Sequence, residues 1–191
     1  MRFLRHEHHK IVPWKNGAGV TRELALHEDE ALHSDFLWRI SIATVDRDGP
    51  FSTFSSIDRT IAVLRGEGMI LESPSQRVTM SSGGAPFCFD GETPIVAIII
   101  NGETTDLNAM TRRGFFTHSM DRLTFSHTVA IDGESDETVV VFNSSIRAKT
   151  AQGHFNARPF DVILGIGRHE RIYLFPDDQA EVYIIRLSKT E

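Results

Sequence analysis

The sequence predicts an all-β protein, and three observations carry that reading. Short segments rich in Val, Ile, Thr and Phe follow one another along the chain, turn residues separate them, and no stretch sustains the 3.6-residue apolar period of a long amphipathic helix. Segment 19–27 follows the turn signal Asn16-Gly17, and 36–45 alternates strictly, with Trp38, Ile40 and Ile42 on one side. Segments 59–64 and 69–72 flank the turn signal Gly66-Glu67-Gly68, and 77–81 stops at Gly83-Gly84. Segment 95–101 is apolar between Asp90-Gly91 and Asn101-Gly102, and 105–110 alternates again. Segments 115–119, 123–131, 138–143, 161–164, 171–175 and 181–187 complete the set, with Asp132-Gly133 closing the second of them. So many short strands suit a sandwich or barrel, architectures that hide strand edges.

Composition narrows the partners. The chain has 191 residues, 40% hydrophobic, which suits one or two compact domains. Its formal net charge of −6 lacks the positive field that nucleic acid or an anionic membrane would require, so neither is an expected partner. Cys88 is the only cysteine, which forbids an intramolecular disulfide or a multi-cysteine metal site and fits a reducing compartment. The longest apolar run, Ile95 to Ile100, falls far short of the roughly 20 residues that span a bilayer. Residues 1–9 carry no apolar core of signal-peptide length, so a cytoplasmic location is expected.

A weak internal repeat pairs Phe89-Asp90-Gly91-Glu92 and the strand after it with Phe175-Pro176-Asp177-Asp178 and the strand after that. An aromatic and an acidic turn precede a β-branched strand in each, at an offset close to half the chain, as a duplicated β-barrel unit would give. No Pro/Ser/Gly-rich linker separates the halves, so the expectation is one body.

Alternation also sorts polar residues by face, because successive strand residues point to opposite sides. Thr21 and Glu23 share one face, as do Arg39, Ser41 and Ala43, and as do Asp106, Asn108 and Met110; Arg59 lies with Ile61 and Val63. A solvated sheet face is the ordinary meaning of such alternation. These strands instead carry short, directed groups beside arginines, a mixture suited to a barrel mouth that binds a small polar ligand. Sixteen of the 20 basic residues are arginine, whose planar fork fits a carboxylate.

Metal chemistry is not expected. His6, His8 and His9 cluster with Glu7 in a terminal segment, where a strand would put only His6 and His8 on one side, and the other histidines are dispersed. No serine-nucleophile elbow, phosphate loop or dinucleotide fingerprint is present, since Gly17-Ala18-Gly19 is short and precedes a strand. No cofactor is assigned.

The run Pro13-Trp14-Lys15-Asn16-Gly17-Ala18-Gly19-Val20-Thr21-Arg22-Glu23, followed by Phe36 to Ala43, resembles the opening of HutD/Ves family proteins. Asp48-Gly49-Pro50-Phe51-Ser52-Thr53-Phe54, Ile57-Asp58-Arg59, Gly66-Glu67-Gly68-Met69, Phe89-Asp90-Gly91 and Asp106 to Arg113 then follow in family order. Ala18 replaces the family's usual glycine. The resemblance implies a bacterial bicupin, two cupin-like β-barrels packed as one body: 1–110 would form the barrel with the ligand pocket and 111–191 the second, across a boundary that strands are free to cross. It links the HutD branch to histidine utilization and the Ves branch to stress or cold response. Metal-dependent cupins commonly use a His-x-His set, and residues 59–72 contain no histidine.

Carried over residue by residue, the implied ligand-binding set is Trp14, Asn16, Thr21, Glu23, Arg39, Ser41, Arg59, Asp106, Asn108 and Arg112, with Ser52 and Asp58 as further shared polar positions. The expected function is metal-free binding of a small carboxylate-bearing amino-acid derivative, such as formiminoglutamate, with a role in regulating histidine catabolism. Arg39 or Arg59 would hold the carboxylate, Glu23 or Asp106 a cationic nitrogen, and Trp14 would close the mouth. Two alternatives stand beside it: a metal-independent isomerase or hydrolase with Glu23 or Asp106 as base, and a non-catalytic stress-response interaction protein. A homodimer is the one protein assembly considered.

Overall fold

Strand pairing follows the alternation of the sequence. The computed structural model describes residues 1–14, 19–28 and 36–190; the Asn16-Gly17 turn, Ala18 and His33 lie outside them. The chain divides into two compact units, Lys10–Thr117 with Thr190–Glu191, and Met1–His9 with His118–Lys189.

In the unit that holds most of the N-terminal half, one sheet runs in the order β2 (Lys10–Pro13), β3 (Gly19–Glu28), β4 (Phe36–Val45), β11 (Thr104–Arg112), β6 (Ile57–Arg65), β9 (Phe87–Asp90). A second runs β5 (Gly49–Pro50), β10 (Val96–Ile99), β7 (Met69–Glu72), β8 (Arg77–Met80). Ile61 and Val63 from the first sheet pack with Met69, Leu71, Met80 and Ala97 from the second, forming a core between them. Pro13 and full exposure confine β2 to an edge, where a residue without a ladder N–H is tolerated.

The other unit also has two sheets. One is ordered β1 (Arg2–Leu4), β17 (Val162–Ile166), β14 (Glu137–Phe142), β19 (Ala180–Lys189), β12 (Phe116–Phe125). Its companion is ordered β13 (Val129–Asp132), β18 (Arg171–Phe175), β15 (Ile146–Thr150), β16 (Gly153–Ala157). Their core includes Phe125, Val140, Phe142, Ile163, Ile172, Leu174, Val182 and Ile184.

The strand orders reveal a duplication. The order β4-β11-β6-β9 recurs as β12-β19-β14-β17, and β5-β10-β7-β8 recurs as β13-β18-β15-β16, each strand replaced by the one eight places later. The sequence repeat around Phe89 and Phe175 is out of step with this: it equates β9 and β10 with β18 and β19, whereas topology equates β10 with β18 and β11 with β19. A local aromatic-acidic turn recurs wherever a strand ends, so it does not set the register of a duplication. A second correction concerns 123–131, which divides between the end of β12 and β13; Phe125 is buried, Ser126, His127 and Thr128 are exposed, and the chain leaves the sheet there.

Asp161 ties the N-terminal strand to its unit. Its fully buried carboxylate accepts from the backbone N–H groups of His6 (2.8 Å) and Arg158 (2.9 Å) and from Arg5 Nη1 (3.1 Å). Asp161→Ala leaves those amides without their acceptor and is expected to cost about 2 kcal/mol, read as a lowered urea midpoint, with faster hydrogen exchange in β1.

Among the described residues, no helix is long and apolar enough to cross a membrane.

Candidate functional site

The pocket lies against the six-stranded sheet of the first unit, on the face that alternation assigns to the polar residues. Antiparallel register aligns them in rows. Thr21 on β3 pairs with Ala43 on β4, which pairs with Asp106 on β11. Glu23, Ser41 and Asn108 form the next row, and Arg39, Met110 and Arg59, on β4, β11 and β6, form another. Two strand spacings therefore separate the backbones of the two arginines, about 10 Å. Their guanidiniums flank the strand that carries Asp106 and Asn108.

A cavity of about 660 Å³ opens here, lined by Trp14, Thr21, Arg39, Ser41, Arg59, Asp106 and Asn108 and completed by apolar side chains that include Phe51, Phe54 and Met110. That volume suits a small metabolite. Seven of the ten residues singled out from the sequence thus line one cavity. Glu23 stands behind Arg39, its Oε2 3.3 Å from Arg39 Nε but poorly aligned for a hydrogen bond. Arg112 lies at the end of β11, where its Nε donates to the Phe36 carbonyl at 3.2 Å, outside the lining. Asn16 lies outside the described residues. Trp14 is fixed by its indole N–H, which donates to Thr21 Oγ1 at 2.7 Å.

Arg59 is buried among aromatic rings. Its guanidinium carbon lies 4.9 Å from the Phe89 ring centre, 5.4 Å from Phe51 and 5.6 Å from Phe54, and Nη1 donates to the Ser52 carbonyl at 3.1 Å. Stacking on ring faces and one carbonyl hold the group in place while leaving its Nε without a partner. Burial pushes its pKa down to about 10, with Asp106 opposing and Arg39 reinforcing the shift. Asp106 is 1% exposed, and burial raises its carboxyl to about 7 despite the Arg59 charge. No direct ion pair joins the two. Asp106 Oδ1 and Asn108 Oδ1 also lack hydrogen-bond partners.

Unsatisfied buried polar atoms cost about 1–3 kcal/mol each. The strand order does not require them at these positions, because the second unit builds the same order around an apolar core. On β19 and β14, the counterparts of β11 and β6, the core-facing residues are Val182, Ile184, Val140 and Phe142. One copy of the duplicated unit has an apolar interior, and the other keeps two guanidiniums, a carboxyl and an amide around a cavity. The aromatic wall of Phe51 and Phe54 escapes a search for strand periodicity because it sits on a connection; the run Pro50-Phe51-Ser52-Thr53-Phe54 is its one sequence signal.

Among the described residues, no group of three or more His, Cys, Asp or Glu side chains is placed to hold an ion.

Comparison with known proteins agrees with the fold and locates the family. A 21.2 kDa Pseudomonas putida protein of the hutC 3' region is 36% identical over 108 residues, 56% of each chain. Protein Ves of Citrobacter koseri is 38% identical over 101 residues, 52% of each. The chain thus spans about half the length of the curated relatives it matches. Among solved structures, a conserved Pseudomonas aeruginosa protein of unknown function superposes with a TM-score of 0.87 at 24% identity, covering 98% of both chains. HutD from Pseudomonas fluorescens SBW25 gives 0.85 at 22%, covering 100% of this chain and 99% of that one. A cupin 2 barrel protein from Leptotrichia buccalis gives 0.59 at 8%, covering 93% and 95%, which marks the fold as cupin-like. The HutD family profile matches residues 6–184, from just before β2 into β19. The chain belongs to the HutD family.

Proposed function

We propose that this protein binds a small carboxylate-bearing amino-acid derivative, of which formiminoglutamate is the representative, and that occupancy of the pocket regulates flux through histidine catabolism. The observation that carries this reading is Arg59: a buried guanidinium held by aromatic rings and one carbonyl, with no carboxylate of the protein paired to it. A ligand carboxylate supplies that partner through charge-assisted hydrogen bonds. The ligand's nitrogen end then faces the row of Asn108 and Ser41, with Glu23 behind it. Trp14 covers the mouth, and Phe51 and Phe54 exclude water from the charged contact. The link to histidine catabolism rests on the family and on the hutC-region relative.

Calorimetric titration of the full chain with formiminoglutamate, urocanate and histidine tests the ligand class. Saturable heat from a carboxylate is expected, and folded protein that takes up none of the three refutes the class. Fluorescence gives an independent readout. Trp14 lines the pocket while Trp38, the other tryptophan, is 4% exposed on the opposite face of β4. Ligand should therefore change Trp14 emission, Trp14→Phe should abolish that change, and affinity in Trp14→Phe should fall about tenfold, the low end of the scale for one lost hydrophobic contact.

A further inference from the structure

We propose that Asp106 meets the bound ligand as a carboxylic acid, donating its proton to an oxygen of the carboxylate that Arg59 holds, so that binding takes up a proton and the pocket selects an oxygen acceptor over an ammonium at this position. The inference rests on the carboxylate reading above and adds the protonation state and the polarity of one contact.

Placement comes first. Arg59 and Asp106 sit on adjacent strands with register partners four residues apart along the ladder: Met110 faces Arg59, and Asp106 faces Val63. The long arginine side chain spans part of that offset and stops short of an ion pair, which leaves room between guanidinium and carboxyl. Both residues line the cavity, and each has a buried polar atom without a hydrogen-bond partner, Nε of Arg59 and Oδ1 of Asp106. A ligand carboxylate set there accepts from the guanidinium with one oxygen. Its other oxygen faces the Asp106 carboxyl, whose Oδ1 has no hydrogen-bond partner.

The charges decide which form of Asp106 fits. On β4, Arg39 is balanced by Glu23 on β3; on β6, Arg59 is the remaining cation facing the cavity. The residues lining the cavity from β2 and from the 50–54 connection, Val12, Pro13, Pro50, Phe51, Ser52 and Phe54, do not titrate. With Asp106 ionised these charges cancel, and an arriving anion would place two carboxylates beside one guanidinium in a low-dielectric cavity. With Asp106 protonated they sum to +1, matching a single carboxylate. Like charges at that range cannot both stay ionised without a strong penalty. Burial already holds the empty-site carboxyl near neutrality, with a pKa of about 7, so the change requires little further shift. The proton comes from solvent and stays on Asp106, where it bridges two oxygens; no covalent step is involved.

The test is calorimetry of the full chain with formiminoglutamate and with urocanate, each repeated in phosphate and in Tris, whose ionisation heats differ widely. Proton uptake on binding is expected to be about half a proton at pH 7, close to one at pH 8 and near zero at pH 5.5. Affinity should fall with rising pH, approaching tenfold per pH unit above 8. Asp106→Asn keeps a donor at the same position without a titrating group, so it should bind with no proton uptake and with affinity flat from pH 6 to 9. A residue that only shaped the pocket would leave the proton count unchanged in that variant. Binding to the wild type without proton exchange, or with release, overturns this inference and leaves the carboxylate reading in place. Absence of binding by either compound overturns both. If Asp106→Asn fails to fold, the wild-type proton count decides alone.

Discussion

Arg59→Met is expected to abolish carboxylate binding, weakening it by at least about 100-fold, while leaving the fold as stable as the wild type or more so. Removing one member of a buried charged contact costs about 2–5 kcal/mol of binding, and the upper part of that range applies because the aromatic rings exclude water. Stability moves the other way. In the empty protein Arg59 is a desolvated cation with one carbonyl acceptor and no ion pair, and replacing such a charge by an apolar side chain of similar length is neutral or stabilising. Arg59→Lys separates charge from shape. It keeps the cation but loses the planar fork and the stacking on Phe89, Phe51 and Phe54, so intermediate affinity is expected. Equal loss of binding and stability in Arg59→Met would mean that the guanidinium serves the core and not a ligand.

Asp106→Asn is expected to stabilise the ligand-free protein at pH 8 by about 4 kcal/mol, an advantage that is largely gone at pH 4. Burial raises the folded-state carboxyl from 3.8 to about 7, and each unit of difference corresponds to about 1.4 kcal/mol. Between these values the folded state binds the proton and the unfolded state does not, so the contribution of Asp106 to stability decreases as pH rises through that window and is constant outside it. Urea unfolding of both proteins at pH 4, 6 and 8 measures this difference directly. Parallel stabilities across the range would show that Asp106 ionises freely in the folded protein. The two variants together describe a site that lowers the stability of the empty protein, as binding sites preorganised for charge do.

Much of this architecture is legible in the sequence because its signal is a period of two. The segment Phe36–Val45 could be bounded without error, since Trp38, Ile40 and Ile42 alternate with Arg39, Ser41 and Ala43. The same parity put Asp106 beside Asn108 and Thr21 beside Glu23, and the ladder then brought those pairs into shared rows. Parity fails where the chain leaves the ladder. Phe51 and Phe54 wall the cavity from a connection, where no period assigns a face. Arg112 has the parity of Asp106 and Asn108, yet it sits at the strand's end and reaches the Phe36 carbonyl. The edge strands β2 and β16 escape a search for apolar runs because they are short and mostly exposed. The duplication escapes it for another reason. Strand order is a property of pairing between distant segments, and the two copies have diverged in the residues that face inward, apolar in one and charged in the other.

That divergence supports the functional reading independently of any relative. The core of the second unit carries Val140, Phe142, Val182 and Ile184 on β14 and β19, whereas on β6 and β11 the first unit keeps Arg59, Asp106 and Asn108 around a cavity. The polar interior is an addition to the fold, with a cost in stability.

A crystal structure of the full chain with formiminoglutamate shows whether a ligand carboxylate lies between Arg59 and Asp106. Density is expected for a carboxylate with one oxygen within hydrogen-bond distance of the Arg59 guanidinium and the other within reach of the Asp106 carboxyl, and the nitrogen end toward Asn108 and Ser41. A ligand bound elsewhere, or a carboxylate turned away from Arg59 toward the mouth, would contradict this placement.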